Sequence, residues 1–271
     1  MYTFNRMYLK MNKPLCDVIF ASDKRKQALL LLQEGPQEME SILKSLDTNR
    51  QGLLPQMKVL AEHYLVDHYD DIYELTTIGK LVVNRMEPLL NKIEVLDIDI
   101  DYWGIRDLSF IPSHLLERIN SLGKCSIVSP SLLDMYDLDK RFHEGSKLSK
   151  NLYIVTTFLH PNFPELMSEL ITNCVMTHFI ISDELLRNLL TTKREEFIRL
   201  LQSTFVKIYI CNNEMKFHFV SSNDHYLMLS ILRDDGVVDN RYILCKSKKT
   251  VEWGQEFFQY CLKDSIPINE F

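Results

Sequence analysis

The segment from Thr48 to Val66 reads TNRQGLLPQMKVLAEHYLV, and it has the pattern of a helix that follows a polar start. Apolar residues recur with a period near 3.6, which predicts one buried helical face, at Leu53, Leu54, Met57, Leu60 and Ala61. A short alternating segment follows, with Asp70-Asp71 at its centre, and predicts a hairpin. A helix with a polar amino end before a hairpin is typical of a winged helix-turn-helix, whose second helix enters the major groove of DNA. Any amphipathic helix before any hairpin shows the same pattern, so that alternative stays open.

The predicted DNA contacts are polar residues at the start of this helix and on the hairpin: Thr48, Asn49, Arg50, Gln51, Gln56, Lys58, His68 and Tyr69. Arginine is suited to guanine, and asparagine or glutamine to adenine, in the major groove. The alternative is a solvated helix face. Pro55 is unfavourable inside a helix. We therefore expect residues 48–52 to form the turn and the regular helix to begin near Leu53, with Pro55 in its first turn.

The neighbouring segments fit the same module. Residues 14–34 predict two helical segments with a cap at Ser22 or Asp23, and residues 37–46 predict the first helix of the pair. Residues 65–69 and 72–75 predict the strands of an acidic hairpin. A long helix is expected after Thr76 or Thr77, with an apolar stripe at Ile78, Leu81, Val82, Leu89, Ile93 and Leu96. The stripe predicts either a dimer seam or packing on its own domain.

Composition sets the class of protein. The 271 residues are 46% hydrophobic and 25% charged, which is typical of a globular chain, and no apolar run is long enough to span a bilayer. The amino terminus lacks the apolar core of a signal peptide, which predicts a cytoplasmic protein; Met7 and Met11 are alternative starts. The net charge is −6, so DNA binding must rely on local basic clusters. The six cysteines form no C-x-x-C pair, so we expect neither a structural zinc site nor a redox pair. Since a cytoplasmic chain is predicted, we expect the thiols to be reduced.

The second half of the chain predicts a different architecture. Residues 97–123 are expected to be an acidic linker and a connecting helix, between a domain at 1–96 and a domain at 124–271. In the latter, strands and helices alternate before two hairpins. One hairpin is expected around Asn212-Asn213, and the second is expected between strands at 226–232 and 241–245. The fold class is thus an α+β winged helix-turn-helix followed by an α/β effector domain with a mixed sheet.

Candidate effector contacts are polar residues near strand ends of this domain: Thr156, Thr157, His160, Ser182 and His218. Ligands of α/β sheets lie at the carboxyl ends of parallel strands. The alternative is that these residues are ordinary caps and satisfied histidines. A metal site at His218, His225 and Asp224 is an alternative, but we expect no metal there. We expect no catalytic residue, because nucleophile-elbow and phosphate-loop motifs are absent, and no cofactor, because the chain has only eight glycines for close backbone approach.

Five separated motifs in order resemble the archaeal methanogenesis regulatory proteins: LLPQMKVLAEHYLV at 53–66, YELTTIGKLVVNRMEPLL at 73–90, DYWGIRDLSFIPSHLLERINSLG at 101–123, LHPNFPEL at 159–166 and VEWGQEFFQYC at 251–261. This resemblance covers nearly the whole chain. It implies an arsenic-repressor-type winged helix with a regulatory domain behind it, in a transcription factor of a methanogen. The implied partners are double-stranded promoter DNA, a small-molecule effector and a second copy of the chain, with no membrane.

The second half is also distantly similar to phospholipase-D-like effector domains. That enzyme fold requires an H-x-K-x-x-x-x-D motif, and here Val220 stands where the lysine is needed after His218. The similarity therefore implies ligand sensing without phosphodiester chemistry. Another possibility is a winged-helix protein-interaction module that reads no DNA sequence, which the acidic hairpin favours.

Overall fold

The computed structural model describes residues 13–131, 138–211, 213–237 and 239–268. The chain divides into two units, Met1–Leu90 and Asn91–Phe271, and each is described here by itself. The two alternative starts, Met7 and Met11, lie outside the described residues. Among the described residues, no helix is both long and apolar enough to cross a bilayer.

The first unit is built from short helices around a small sheet. Its helices are α1 (Leu15–Phe20), α2 (Asp23–Leu31), α3 (Met39–Ser45), α4 (Arg50–Glu62) and the greater part of α5 (Thr77–Asp97). Its strands are β1 (Gln37–Glu38), β2 (Val66–Tyr69) and β3 (Ile72–Leu75), in the sheet order β1-β3-β2. The two helical segments predicted within 14–34 are confirmed as α1 and α2. A 3₁₀ turn at Leu32–Glu34 follows α2.

Helices α3 and α4 form a helix-turn-helix pair. The turn passes through Asp47, whose φ is 46°, and the amide of Thr48 donates to the carbonyl of Leu43 at the end of α3. Asn49 caps α4, because its side chain accepts a hydrogen bond from the amide of Gly52 over 2.8 Å. The buried face of α4 consists of Leu53, Met57 and Leu60.

Two details of this pair differ from the sequence-based expectation. The predicted helix at 37–46 begins only at Met39, because residues 37–38 form β1 and pair with β3. The second helix begins at Arg50, not near Leu53, because the Asn49 cap starts it three residues earlier. Pro55 is consequently the sixth helical residue, beyond the first turn, where its exposed ring removes one backbone hydrogen bond.

The hairpin predicted after α4 is confirmed as β2 and β3, paired from Val66 with Leu75 to Tyr69 with Ile72. Asp70 and Asp71 form its two-residue turn with φ values of 46° and 66°, a left-handed conformation that aspartate tolerates. Helix α5 then begins behind the hydroxyl of Thr76, which accepts a hydrogen bond from the amide of Gly79 over 2.9 Å.

Helix α5 divides its apolar residues between two faces. Val83 and Met86 belong to the core of the first unit, together with Leu53 and Met57 of α4. The predicted stripe lies largely outside that core, since Ile78, Leu81 and Leu89 are 47%, 68% and 50% exposed. Helix α5 therefore packs on the first unit mainly through a neighbouring face, which includes Val83 and Met86.

The second unit is an eight-stranded sheet covered by helices on both faces. Its strands are β4 (Cys125–Val128), β5 (Asn151–Thr156), β6 (Met176–Ser182), β7 (Val206–Cys211), β8 (Phe217–Asn223), β9 (Leu227–Ile231), β10 (Tyr242–Cys245) and β11 (Ser265–Pro267). Its helices are α6 (Ile100–Gly104), α7 (Ser113–Leu116), α8 (Lys140–Lys147), α9 (Phe163–Thr172), α10 (Asp183–Thr192), α11 (Arg194–Leu201) and α12 (Lys248–Leu262).

The sheet order is β11-β7-β6-β5-β8-β9-β10-β4, with β5, β6 and β7 parallel and the remaining pairs antiparallel. The predicted mixed sheet is confirmed. One face packs on α7 and α12 through Val155, Leu229 and Trp253. The other packs on α8 to α11 through Leu152, Phe179 and Leu186. This alternation along each strand places one set of side chains toward each helical layer.

The hairpin expected around Asn212-Asn213 is wrong. Strand β7 pairs with β6 and β11, whereas β8 pairs with β5 and β9, so the two strands do not meet. Asn212 itself lies outside the described residues. The second predicted hairpin is confirmed, because β9 and β10 pair antiparallel from Leu227 with Cys245 to Leu229 with Ile243.

The acidic segment after α5 is not a solvated linker. The carboxylate of Asp99 caps α6 by accepting from the amide of Tyr102 over 2.8 Å, and it forms an ion pair with Arg241. Tyr102 and Trp103 are 0% and 4% exposed within the core of the second unit. Much of the segment 97–123 therefore belongs to that core, and its carboxylates serve a helix start and an arginine.

The expectation that all cysteines are reduced is also wrong, because Cys125 and Cys245 form a disulfide. The two residues are direct partners in the antiparallel pairing of β4 with β10. Buried Cys211 and half-buried Cys261 lie near each other, and burial, followed by the charge of Cys211, raises the pKa of the Cys261 thiol to about 12.

Candidate functional site

The exposed surface of α4 and the hairpin tip form the first candidate site. Gln51 and Lys58 are exposed and seven residues apart, which places them on the same side of the helix, away from the buried Leu53 and Met57. Gln56 and Thr48 are only half-buried. The side chain of Asn49 is exposed but already engaged as the helix cap. Of the polar residues that the sequence predicts to point outward before Leu53, Asn49, Arg50 and Gln51 are exposed and Thr48 is half-buried.

Arg50 is held by the hairpin. Its guanidinium donates to both carboxylate oxygens of Asp71 over 2.6 and 3.0 Å, and Glu40 lies 3.8 Å away. The hydrogen bond and charge of Asp71 raise the pKa of Arg50. Base contact by this arginine therefore requires that it leave Asp71.

Lys24 of α2 adds a positive charge to the start of α4. A β-carbon built on Gly52 would meet the Nζ of Lys24 at 2.5 Å, so the ammonium group lies directly against the first turn. The helix N-terminus itself favours anions, because its free amides and its dipole point outward. Glycine at position 52 leaves room for this approach.

The hairpin presents the remaining two predicted contacts. Tyr69 is 54% exposed. His68 is exposed but stacks on the ring of Tyr73 with the ring centroids 5.3 Å apart. Asp67, Asp70 and Asp71 are exposed on the same hairpin, and of these Asp71 is paired with Arg50.

The second candidate site is a cavity of about 480 Å³ inside the second unit. It lies on the α8–α9 side of the sheet and is floored by β5, β8, β9 and β10. Its volume is in the range of pockets that hold small organic ligands. Three of the five predicted effector residues line it, namely Thr156, His160 and His218.

The other two predicted effector residues have structural roles. The hydroxyl of Thr157 donates to the backbone carbonyl of His218 over 3.1 Å. Ser182 caps α10 by accepting from the amide of Leu185 over 3.2 Å. Neither is among the described residues that line the cavity.

One wall of the cavity is aromatic. The ring of His218 stacks on Phe158 with centroids 4.0 Å apart and an interplanar angle of 17°, and Phe219 lies 6.4 Å from Tyr242. Burial lowers the pKa of His218, which favours the neutral imidazole. The hydroxyl of Thr156 donates to the carbonyl of Phe158 over 2.7 Å and so fixes the chain after β5.

A carboxylate lies at the cavity wall with its hydrogen bonds satisfied. Asp139 accepts from the phenol of Tyr242 over 2.9 Å, from Arg141 over 2.8 Å and from the amides of Arg141 and Phe142. Burial raises the pKa of this carboxyl, but Arg141 and the other donors outweigh burial and hold it below its ordinary value. Burial and the same carboxylate raise the pKa of Tyr242.

Sequence reasoning missed the polar residues in the middle of the strands. Ser221 of β8 and Ser230 of β9 line the cavity, 6% and 4% exposed. Their signal was present, since each is a small polar residue at an alternate position of an apolar strand. The possible metal ligands are not brought together: among the described residues, no three histidine, cysteine, aspartate or glutamate side chains converge. Asp224 instead accepts from the amide of Lys150 over 2.6 Å.

Two family models match the chain. Residues 16–94 match the N-terminal domain of the methanogenesis regulatory protein FilR1, and residues 135–264 match its middle domain. The curated methanogenesis regulatory protein FilR1 of Methanothrix harundinacea (strain 6Ac) is 23% identical over 259 residues. That alignment covers 93% of this chain and 58% of the relative, so this chain spans little more than half of the relative's length.

Solved structures show weaker likenesses. TrmBL2, described as an archaeal chromatin protein with a novel mode of DNA binding, matches 92% of this chain and 95% of its own, with 11% identity and a TM-score of 0.43. Nuc, a phospholipase D family member from Salmonella typhimurium, matches 54% of this chain and 100% of its own, with 10% identity and a TM-score of 0.37. At these scores neither structure supports an argument about this chain. The two family models together cover most of the chain, and it belongs to the archaeal methanogenesis regulatory protein family.

Proposed function

We propose that this chain is a DNA-binding transcriptional regulator whose first unit is a winged helix-turn-helix and whose second unit senses a small molecule. The observation that carries the proposal is the exposed polar face of α4, the second helix of a helix-turn-helix pair. Gln51 and Lys58 face outward on it, and Lys24 lies against its first turn. In this arrangement Lys24 and Lys58 contact phosphates and position the protein on the duplex. The side-chain amide of Gln51 and the guanidinium of Arg50 read base edges.

The cavity in the second unit supports the sensing role. A ligand that fills about 480 Å³ between β5, β8, β9 and α9 contacts several elements at once. It acts by stabilising one of two arrangements of the protein, and its effect is limited by its difference in affinity for the two. The effector residues remain those proposed from the sequence that line the cavity, Thr156, His160 and His218.

A homodimer is part of the proposal. Three large apolar residues on one side of α5, Ile78, Leu81 and Leu89, are each about half or more exposed, which is unusual for residues with no partner surface. Two such helices, packed side by side, bury these residues. Dimerisation would also place two α4 helices on one duplex, as half-site recognition requires.

The acidic hairpin favours a second candidate function, a module that docks a basic protein. Asp67 and Asp70 are exposed beside the proposed DNA surface, and carboxylates there repel phosphate. One experiment separates the two functions. Fluorescence anisotropy measures binding of the purified protein to the duplex upstream of its own gene and to a scrambled duplex of the same composition, over a salt series.

DNA reading predicts tighter binding to the promoter duplex, and a plot of log affinity against log salt whose slope falls by about 1 in Lys58→Ala. The matched control is Lys80→Ala, an exposed lysine on α5, which leaves that slope unchanged. Equal affinity for both duplexes at every salt concentration would exclude sequence reading and favour the docking module.

A further inference from the structure

We infer that the cavity of the second unit takes an uncharged, predominantly apolar ring- or chain-containing molecule that carries a hydrogen-bond acceptor, and that it excludes phosphorylated and carboxylated metabolites. This inference rests on the proposed sensing function and names the class of effector. It follows from which charges and which hydrogen-bond donors the cavity offers.

The described lining of the cavity offers no permanently charged cation to an anionic ligand. No lysine or arginine belongs to the cavity lining among the residues that the structure describes. Arg141 is directed at Asp139, to which it donates over 2.8 Å. A phosphate or carboxylate transferred from water into such a site loses its hydration without gaining an ion pair, which is strongly unfavourable.

Three histidines of the described lining could supply positive charge only if they were protonated. Burial lowers the pKa of His218, which stacks on Phe158. The Nδ1 of His160 accepts a hydrogen bond from the amide of Asn162 over 3.2 Å, so that nitrogen carries no proton in this geometry. His143 already faces a carboxylate, that of Glu169, at 2.9 Å.

The cavity is also unfavourable for a cationic ligand, because the carboxylate of Asp139 at its wall is already paired. The carboxylate of Asp139 is 5% exposed and accepts from Arg141, Tyr242 and two backbone amides. Its lone pairs and its charge are therefore already balanced. An ammonium group in the cavity would compete with the guanidinium of Arg141 for this carboxylate.

Among the described hydroxyl groups of the lining, that of Ser221 is the one we expect to hydrogen-bond a ligand. Thr156 and Ser230 both donate their hydroxyl protons to backbone carbonyls, of Phe158 over 2.7 Å and of Arg241 over 3.2 Å. The backbone of Ser221 is paired in the sheet with β5 and β9, but its side-chain hydroxyl has no hydrogen bond to another described residue, and the residue is 6% exposed. Its hydroxyl lies on the floor of an apolar cavity and is available to donate to one acceptor of a bound molecule.

The test uses one ring system with three charges. 1-Naphthol is neutral, 1-naphthyl phosphate is anionic, and 1-naphthylmethylamine is cationic at pH 7.5. Each competes with Nile red, an uncharged dye that fluoresces in apolar surroundings, on the full chain without DNA. We expect 1-naphthol to displace the dye with an affinity at least ten times higher than either charged compound. Displacement by the phosphate or the amine at equal or lower concentration overturns the inference.

Two variants locate the binding. Ser221→Ala removes the proposed donor, and 1-naphthol affinity should fall about fivefold, the value of one hydrogen bond. The matched control is Ser222→Ala, whose side chain lies against Gly254 of α12 on the opposite face of the sheet, and it should leave 1-naphthol affinity unchanged. An equal effect of both variants, or of neither, overturns the assignment of Ser221.

A second control separates dye in the cavity from dye on the surface. Ile154→Trp fills the cavity from β5, and Nile red fluorescence should be lost. Leu148→Gln removes a leucine that is 79% exposed and should retain the fluorescence. Binding of the promoter duplex, measured on the same samples, tests the proposed DNA-binding function independently. If the ligand test fails while DNA binding is intact, the inferred ligand class is overturned and the DNA-binding function is not.

Discussion

The guanidinium of Arg50 and the carboxylate of Asp71 join the first turn of α4 to the tip of the hairpin by two hydrogen bonds of 2.6 and 3.0 Å. Both side chains are nearly half exposed, so the pair contributes little to folding stability. The main effect of the pair is on the orientation of the Arg50 side chain. The pair directs the arginine toward the hairpin, and contact with a base requires its release.

Breaking this pair should change DNA affinity in opposite directions according to which partner is replaced. Asp71→Asn frees Arg50, and we expect promoter affinity to rise by up to about fivefold, the worth of one exposed ion pair. Arg50→Ala removes the proposed base contact, for which about 1–3 kcal/mol is typical, and should lower promoter affinity at least fivefold. Fluorescence anisotropy at fixed salt measures both.

The neighbouring Asp70→Asn is the matched control, because Asp70 is exposed in the same turn and Arg50 is bonded to Asp71. It removes the same charge without freeing Arg50. If both asparagine variants tightened binding equally, general charge repulsion and not the ion pair would account for the gain.

Leu81 should decide the oligomeric state. It is 68% exposed and lies between Ile78 and Leu89 on the exposed apolar side of α5. Leu81→Glu places a charge in the proposed seam, and we expect a dimer of about twice the 31.9 kDa chain mass to become a monomer in light scattering after size exclusion. Leu148→Glu, at a leucine that is 79% exposed in the second unit, should leave the dimer intact. A wild-type monomer at micromolar concentration would argue against the seam.

Gly79 is required by the close approach of α5 to the residue before β2. A β-carbon there would lie 2.1 Å from the carbonyl oxygen of Leu65, which is backbone and cannot turn aside. We expect Gly79→Ala to destabilise the first unit by about 1–3 kcal/mol or more, since the helix must shift. Urea unfolding followed by circular dichroism measures the loss.

Gly104→Ala is the comparison for that experiment. Gly104 is also helical, but a β-carbon there meets nothing within 4 Å. Alanine at this position should leave stability unchanged or raise it by up to about 1 kcal/mol, because alanine is the better helix former. Equal losses in both variants would indicate a general cost of replacing glycine rather than the contact with Leu65.

Local patterns in the sequence were sufficient for the elements that local forces determine. The apolar period of 53–61 predicted α4, and two short alternating runs around Asp70-Asp71 predicted β2 and β3. The start of α4 differs from the expectation because the Asn49 cap, and not Pro55, determines where the helix begins. Asn49 accepts from the amide of Gly52 and begins the helix at Arg50, and the helix tolerates the proline in its second turn.

Strand order and the disulfide depend on long-range packing that no local pattern encodes. A turn signal after β7 predicted a hairpin, yet β8 pairs with β5, more than 60 residues earlier along the chain. Cys125 and Cys245 are separated by 120 residues and meet only because β4 and β10 are neighbours. The sequence points to polar residues near strand ends but does not predict the cavity itself. Strand ends led to Thr156 and His218, whereas Ser221 lies inside a strand, where only its direction relative to the sheet marks it.

His218 should make stability depend on pH just below neutrality. Burial lowers its pKa below the ordinary 6.5, so the unfolded chain binds more protons than the folded chain as pH falls through that value. The stability contributed by the buried neutral ring is therefore complete above pH 6.5 and is lost below it. We expect the urea midpoint to fall between pH 7.5 and 5.5, and His218→Phe, which preserves stacking on Phe158, to reduce the fall.

His178 supplies the comparison, because burial and, to a smaller extent, Lys207 lower the pKa of this second ring in the same unit. His178→Phe alone should also reduce the pH dependence, and the double variant should show the flattest profile, since each ring contributes its own proton to the linkage. If the profile of the double variant matched that of the wild type, titration of these two buried rings would not be the cause. The stacked pair of His218 and Phe158 would then contribute to the cavity only through packing.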